Sequence, residues 1–332
     1  MTGPQGRATG VVAAVVAGVG LAVQSRVNGE LSVRLNDPIG AAVISFGSGL
    51  LVLALLVPLL PAGRAGLARL RAALRGQRIR PWQCAGGMCG GFLVATQGLT
   101  VPALGVAVFI VALVAGQSTS SLLVDRAGAG PAGPQPITPL RLAGAVLTII
   151  AVLISVADRI GHPSALVLAV LPLLAGVGLA WQQAVNGHVR AASGTALVAT
   201  LVNFATGLLV LILAFAVAAL VRGLPGHLPR GPWWLYAGGL IGIVMIAAGA
   251  AVVRWTGVLL LGLGMIAGQV TGALLLDAVA PGAAGRPGWN TVLGAVLTLV
   301  AVVIAVLRPR RGGEPVPSGS RAGRATPGSD RR

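Results

Sequence analysis

The chain has 332 residues, of which 55% are hydrophobic and only 9% are charged, and its formal net charge is +17. Ordinary soluble domains carry about 25% charged residues, so this composition excludes a soluble multidomain protein. The positive charge does not predict a nucleic-acid partner either, because the arginines cluster in one connecting segment and one tail, and an aromatic content of 4% leaves few rings for base stacking.

Apolar stretches of about 20 residues, separated by short polar breaks, run along almost the whole chain. They predict an all-α polytopic membrane protein with ten transmembrane helices. Two of the breaks are tight turns, one marked by Pro102 and the other by the pair Arg254 and Trp255. The predicted spans are residues 10–30, 38–60, 82–101, 103–124, 140–158, 165–187, 195–221, 233–253, 256–276 and 289–307.

The arginines predict how the chain crosses the membrane. Six of the 24 lie in the segment 63–80, and seven lie in the tail 308–332. Placing that segment in the cytoplasm puts both termini there and leaves 18 arginines inside, in agreement with the positive-inside rule. The tail is rich in proline, glycine and serine, so it is expected to be disordered and to anchor on anionic lipid. The absence of lysine and the abundance of alanine and glycine indicate a GC-rich bacterial gene.

An internal repeat covers most of the chain. "GVGLAVQSRVNG" (18–29) matches "GVGLAWQQAVNG" (176–187) at an offset of 158 positions, and further pairs follow in the same order. These pairs are "SFGSGLL" (45–51) with "NFATGLL" (203–209), "AGQSTSSLLVD" (115–125) with "AGQVTGALLLD" (267–277), and "LAGAVLTIIAVLI" (142–154) with "VLGAVLTLVAVVI" (292–304). Internal duplication of this kind defines two structural units.

The repeat predicts a first five-helix unit at 1–160 and a second at 161–307, followed by the tail 308–332. Because each unit contains an odd number of spans, the second must enter the membrane upside down relative to the first, which gives inverted-topology repeats. Residues 10–30 correspond to an internal span at 168–188. They are therefore expected to be a retained helix, although Arg7 and the apolar run after it imitate a signal peptide.

The paired "QSRVNG" and "QQAVNG" segments, each followed by an "SF…G" or "NF…G" span and an "AGQ…LLxD" span, resemble the YdcZ-type family of the drug/metabolite transporter superfamily over about residues 10–307. The resemblance implies a ten-helix inner-membrane transporter that exports small molecules. Relatives with a single five-helix unit would pair as two chains, whereas this sequence contains both units. A homodimer stays open as an alternative assembly.

Polar residues that recur at matched positions inside the spans are the candidate solute-binding residues, because a polar side chain facing lipid is costly. The substrate-binding candidates are Gln24, Asn28, Gln117, Gln182, Asn186 and Gln269. The pairs are Gln24 with Gln182, Asn28 with Asn186, Gln117 with Gln269, and Thr119 with Thr271. One alternative is that the amides only join helices. For Asn28 and Asn186, which each precede a glycine, another is a C-terminal helix cap.

Acidic side chains are absent from the first span, so the membrane-embedded glutamate that small multidrug-resistance relatives use for proton exchange has no equivalent between residues 10 and 29. Glu30 is the nearest substitute, and Asp125 and Asp277 end their spans at matched positions. These three are candidates for coupling or ion pairing, the alternative being ordinary interfacial charges. A neutral or weakly polar solute bound by amides is therefore expected.

Metal and cofactor sites are not predicted. Cys84 and Cys89 are five positions apart and have no histidine nearby, and His162, His188 and His227 lie in or near loops. Small residues at 41, 45 and 49, and glycines at 264, 268 and 272, are expected to form ridges for close helix contact.

The leading hypothesis is a secondary transporter that moves a small organic metabolite or drug-like solute by alternating access, in the export direction. Its partners would be the solute and membrane lipids. Two alternatives stay open. One is a non-transporting membrane scaffold. The other is an intramembrane enzyme acting on lipid, although the sequence shows neither an HExxH motif nor paired aspartates within a span.

Overall fold

The computed structural model describes residues 4–131, 133–159, 163–223 and 231–306, and within these ranges every regular element is a helix. The predicted fold class, an all-helical protein, is confirmed. The ten α-helices are α1 (Pro4–Leu35), α2 (Pro38–Leu59), α3 (Pro61–Arg75), α4 (Gly87–Leu104), α5 (Val106–Arg126), α6 (Pro139–Ser155), α7 (Pro163–Ser193), α8 (Ala196–Arg222), α9 (Gly238–Val279) and α10 (Trp289–Val306). The predictions for the tail 308–332, His162 and His227 lie outside the described residues.

Seven helical stretches are long and apolar enough to cross a membrane, as judged by length and composition. They lie in α1, α2, α4, α5, α7 and α8 and in the second half of α9. Three shorter apolar helices complete the series, at Pro139–Ser155, Gly238–Ala248 and Trp289–Ala305. Each of these stretches overlaps one of the ten predicted spans, so a multi-pass helical membrane protein is established.

Helix α9 differs from the two separate spans predicted at 233–253 and 256–276, because its backbone is helical from Gly238 to Val279. A straight helix of its 42 residues would be roughly 63 Å long, about twice the thickness of the apolar membrane core. Contacts with α1 show that the chain instead folds back. These contacts join Gly242 to Gln24, Met245 to Gly20, Gly264 to Ala14, Gly272 to Val19, and Asp277 to Arg26.

The order of these contacts gives the direction of each half of α9. In the first half, Gly242 contacts Gln24 and the later residue Met245 contacts Gly20, which is earlier in α1. As the second half proceeds, its contacts move forward along α1. The chain therefore reverses between Met245 and Gly264, and the two halves lie antiparallel beside α1.

Close helix crossings hold this arrangement together. A Cβ atom added at Gly268 would overlap the carbonyl oxygen of Val15, and one added at Gly116 would overlap that of Leu173 in the same way. Val15 and Leu173 occupy matched positions of the repeat, as do Gly268 and Gly116. The predicted glycine ridge on α9 is confirmed, and it has a counterpart between α5 and α7. Dispersion contacts between closely approaching backbones stabilise such crossings in membranes.

The small residues of α2 also lie at a close crossing. The backbone carbonyl of Ser45 would overlap a Cβ atom at Gly239, and Gly49 contacts the ring of Phe204. Phe46, at the position that matches Phe204, packs on that ring with centroids 4.9 Å apart. Of the ridge predicted at 41, 45 and 49, the residues at 45 and 49 therefore face the start of α9 and α8, respectively, and Ala41 clusters with Leu31 and Leu235.

The arginine-rich segment contains a helix that the sequence analysis treated only as a loop. Helix α3 buries Gly63, Gly66, Leu70 and Ala73 on one face. Its Arg69 Nε donates to the carbonyl oxygen of Ser193, at 2.8 Å, and so joins α3 to the end of α7. Leucines spaced three and four positions apart at 67, 70 and 74 are the amphipathic signal that could have predicted this helix.

Candidate functional site

The alternative that Asn28 and Asn186 cap the C-terminal ends of their helices is wrong. Helix α1 continues to Leu35 and α7 continues to Ser193, so Asn28 and Asn186 lie inside helices and cap neither of them. The side chain of Asn28 bonds to α4 and that of Asn186 bonds to α8. Neither side chain is therefore used to cap its own helix.

We group the candidate residues by the helices that hold them. The α1–α9 cluster consists of Gln24, Asn28, Gln269 and Asp277. The α5–α7 cluster consists of Gln117, Asp125, Gln182 and Asn186. The repeat pairs each member of one cluster with a member of the other.

In the α1–α9 cluster, the amides of α1 bond across helices. Gln24 Nε2 donates to the carbonyl oxygen of Gly238 at 3.0 Å, and Asn28 Nδ2 donates to Gln97 Oε1 at 2.6 Å. Gln97 Nε2 in turn donates to Ser25 Oγ at 3.0 Å. All of these side chains are buried. The cluster therefore joins α1 to both α4 and the start of α9.

Gln97 is the residue of this network that sequence reasoning missed. It is fully buried and bonded through both ends of its amide. Its counterpart in the second unit is Gly249, so it does not belong to a repeated pair of polar residues. A lone glutamine within an apolar span was the available signal.

Asp277 is the acidic member of the α1–α9 cluster and has two kinds of partner. Arg26 Nη2 lies 3.2 Å from Asp277 Oδ1, and the backbone N–H of Ala107 donates to Oδ2 at 2.8 Å. Ala107 is in the first turn of α5, just after Gly105, whose φ of 84° sharply separates α5 from α4. The carboxylate thus accepts a hydrogen bond from an N–H group that has no partner within α5, and it interacts favourably with the positive end of the α5 dipole.

In the α5–α7 cluster, Asn186 Nδ2 donates to Asn203 Oδ1 at 2.8 Å, while Asn186 Oδ1 faces Gly86. Gln182 faces Gly90, one turn further along α4. This arrangement repeats that of the first cluster, in which Asn28 faces Gly238 and Gln24 faces Gly242. The glutamine and asparagine of each unit therefore pack on the third apolar helix of the other unit.

The other two members of the α5–α7 cluster, Gln117 and Asp125, have partners nearer the surface. Gln117 Nε2 donates to Gln183 Oε1 at 3.4 Å, a long hydrogen bond near the surface. Asp125 forms an ion pair with Arg141 at the start of α6. Because Arg26 is replaced by Ala184 at the matched position of α7, Asp125 has no arginine equivalent to that of Asp277.

Exposure separates the two clusters. The exposed fraction is 8% for Gln24, 0% for Asn28, 6% for Gln269 and 3% for Asp277. The matched residues Gln182, Asn186 and Gln117 are partly exposed, and the Asp125 side chain is 41% exposed. The difference has the same sign in all four pairs. The α1–α9 cluster is buried, and its sequence-related counterpart is partly exposed.

Unpaired oxygens mark the candidate amides. Among the described residues, seven buried side-chain oxygens have no hydrogen-bond partner. They belong to Asn28, Ser45, Gln117, Ser155, Gln182, Asn186 and Gln269, five of which are candidate amides. Because most buried polar groups in proteins are paired, this concentration requires an explanation such as a bound ligand or water.

The other singled-out residues make ordinary contacts. Thr119 and Thr271 each donate a hydroxyl hydrogen bond to the backbone of their own helix. Glu30 pairs with Arg34 one turn away at 3.0 Å, and the His188 ring contacts the carbonyl oxygen of Ala129 at 2.9 Å. Cys84 and Cys89 are free, and no group of metal-binding side chains occurs in the described ranges.

Comparison with known proteins supplies the family. The model of the family described as "Putative inner membrane exporter, YdcZ" matches the chain twice, at residues 9–154 and 167–304. The chain belongs to the YdcZ family. The resemblance noted from the sequence is confirmed, and this YdcZ-family chain is a multi-pass protein of the inner membrane in a family of exporters.

A similarity in fold extends over nearly the whole YdcZ-family chain. A solved structure described only as "Crystal structure of protein" is 18% identical to it, covers 91% of this chain and 96% of its own, and superposes with a TM-score of 0.50. At this identity the likeness concerns the fold alone. The comparison with curated proteins gave no match.

Proposed function

We propose that this protein is a secondary transporter that exports a small organic solute across the cytoplasmic membrane by alternating access. Membership of an exporter family supports transport in general. Alternating access rests on one observation, the difference in exposure between the α1–α9 cluster and its sequence-matched counterpart, the α5–α7 cluster.

The proposed topology has ten spans in two inverted units. Because α9 reverses between Met245 and Gly264, its two halves count as separate passes. Each family-model match then contains five apolar helices, at residues 9–154 and 167–304. An odd number of passes inverts the second unit relative to the first.

Charge supplies the orientation. Helix α3 exposes Arg64, Arg69, Arg71 and Arg75, and such arginine-rich segments favour the cytoplasmic side. With α3 in the cytoplasm, both termini are cytoplasmic. The α1–α9 cluster then lies in the outer half of the membrane, and the α5–α7 cluster lies in the inner half. In this proposal the molecule is in a state closed to the outside and accessible from the cytoplasm.

The matched amides of the two clusters could bind the solute in both the inward-accessible and the outward-accessible state. Matched amides at opposite ends give the solute similar partners whether it enters from one side or leaves on the other. A ligand shifts a conformational equilibrium only by binding the two states differently. Opening the outer side would expose Gln24 and Gln269 as Gln182 and Gln117 become buried.

The test is solute flux through purified protein in liposomes, measured with a broad metabolite panel under proton and sodium gradients. We expect saturable flux of at least one solute, abolished by Asn28→Ala and by Asn186→Ala. Thr119→Ala is the control and should retain flux, because its hydroxyl bonds only to its own helix. Folded protein that moves nothing under either gradient would refute transport.

The two alternative functions predict different results in that assay. A membrane scaffold predicts no flux and no effect of either asparagine substitution on its cellular role. An intramembrane enzyme predicts turnover of a lipid that survives Asn28→Ala.

A further inference from the structure

We infer that the solute is a neutral molecule recognised through its own hydroxyl or amide N–H groups, which donate to the unpaired amide oxygens of the α5–α7 cluster. This inference rests on the proposed transport function and adds the chemistry of the solute. The acceptors are Gln117 Oε1, Gln182 Oε1 and Asn186 Oδ1, each buried and without a hydrogen-bond partner among the described residues.

In two of the three residues the amide nitrogen donates to a neighbouring side chain while the amide oxygen is left without a partner. Asn186 Nδ2 donates to Asn203, and Gln117 Nε2 donates to Gln183. The unpaired buried side-chain atoms in the described ranges are all oxygens, and none is a nitrogen. Since an unpaired buried acceptor is destabilising, a ligand that supplies N–H or O–H donors fits this set.

Two of these acceptors face the same strip of α4. Gln182 Oε1 lies 3.2 Å from the position of a Cβ atom on Gly90, and Asn186 Oδ1 lies 2.6 Å from the equivalent position on Gly86. Residues four apart lie on one helical face. A Cβ atom at Gly86 would overlap Asn186 Oδ1, and one at Gly90 would crowd the Gln182 amide, so the two glycines let this part of the chain pack closely on both side chains. A solute with two donors roughly one helical turn apart matches the pair.

Charge excludes the other solute classes. A cation would lack a free carboxylate partner, because Asp125 pairs with Arg141 and Asp277 pairs with Arg26. Exposed arginines at 126 and 190, near the same end of α5 and α7, would also repel it. A carboxylate such as benzoate has no N–H or O–H group to donate, so it would leave the amide oxygens unpaired. A neutral donor avoids both costs.

The test combines a ligand panel with a pair of leucine substitutions. The probes are xylitol, myo-inositol and nicotinamide as neutral donors, glycine betaine as a solute without N–H or O–H donors, and benzoate as a carboxylate. Binding is measured as the increase in unfolding temperature of the purified protein with ligand concentration. We expect at least one neutral donor to bind saturably, and betaine and benzoate not to bind.

Gln182→Leu should weaken the binding of that neutral donor by about tenfold or more, since a lost hydrogen bond of this kind changes affinity by about that factor. Without ligand it should unfold at the same temperature as the native protein or higher, because it removes an unpaired acceptor. Gln97→Leu is the matched control. It should lower the unfolding temperature, because it leaves Asn28 Nδ2 buried without its acceptor.

A Gln182→Leu protein that unfolds at a lower temperature and still binds the donor would overturn the inference and favour a purely structural amide. Gln117→Leu provides the same comparison at a second acceptor if Gln182→Leu does not fold. Flux of betaine or benzoate in the liposome assay would overturn the solute chemistry while leaving transport intact. Absence of all flux would instead overturn the transport function.

Discussion

Asp277→Ala is expected to lower the free energy of unfolding by about 3–5 kcal/mol, the effect typical of removing one partner from a buried ion pair. The Asp277 side chain is 4% exposed, and its removal takes the carboxylate from Arg26 and the acceptor from the N–H of Ala107. The first turn of α5 should therefore exchange its amide hydrogens faster. Thermal unfolding and hydrogen–deuterium exchange of the peptide covering 104–112 measure the two effects.

Asp125→Ala is the matched control, because the repeat places Asp125 at the position equivalent to Asp277. Its side chain is 41% exposed and, within the described ranges, forms an ion pair with Arg141. Loss of such a surface pair costs about 0–1 kcal/mol. Equal destabilisation by the two alanine substitutions would show that the closed end of the molecule does not depend on Asp277.

Gly268→Ala should produce the second large effect, a loss of about 1–3 kcal/mol or more, as found for overpacked contacts. The added methyl group would overlap the carbonyl oxygen of Val15, so α1 and α9 would have to separate. Rigid backbone atoms leave no flexible side chain to move aside. Unfolding temperature and the yield of monodisperse protein in detergent measure the change.

Gly262→Ala on the same helix is the control for Gly268→Ala. Nothing lies within 4 Å of a Cβ atom at Gly262. Replacement of a helical glycine by alanine without a clash is expected to be neutral or to stabilise by up to about 1 kcal/mol. If both substitutions were tolerated equally, the close crossing of α1 and α9 would be incorrect.

The internal repeat and the membrane spans could be predicted from the sequence. The repeat is visible at fixed offsets, and it identified Gly268 as a ridge residue and paired Gln24 with Gln182. Membrane spans follow from composition, since backbone hydrogen bonds must be satisfied within each apolar segment. These properties involve residues near one another along the chain or identical motifs.

Partners distant in sequence were not predictable. Asn28 was interpreted as a helix end because its partner Gln97 is 69 positions away. Gln97 itself has no matched polar residue in the second unit, so the repeat gave no sign of it. Asp277 bonds to the start of α5 across 170 positions, which turns a span-end charge into a buried contact between the units.

The difference between the clusters was also invisible in the matched motifs. Gln24 and Gln182 are identical residues in similar sequences, and only the three-dimensional structure shows that one is 8% exposed and the other is partly open. The sequence differences that accompany this are few. Arg26 is replaced by Ala184, so Asp277 pairs with an arginine of its cluster's first helix, whereas Asp125 pairs with Arg141 at the start of α6.

Site-directed labelling of Gln24→Cys and Gln182→Cys, each in a protein with Cys84 and Cys89 replaced by alanine, tests alternating access most directly. A membrane-impermeant maleimide is applied to oriented vesicles from either side, without solute. We expect Gln182→Cys to react from the cytoplasmic side and Gln24→Cys to be protected from both sides. Reaction of Gln24→Cys from the cytoplasmic side, or of Gln182→Cys from the outer side, would contradict the inverted, inward-accessible arrangement.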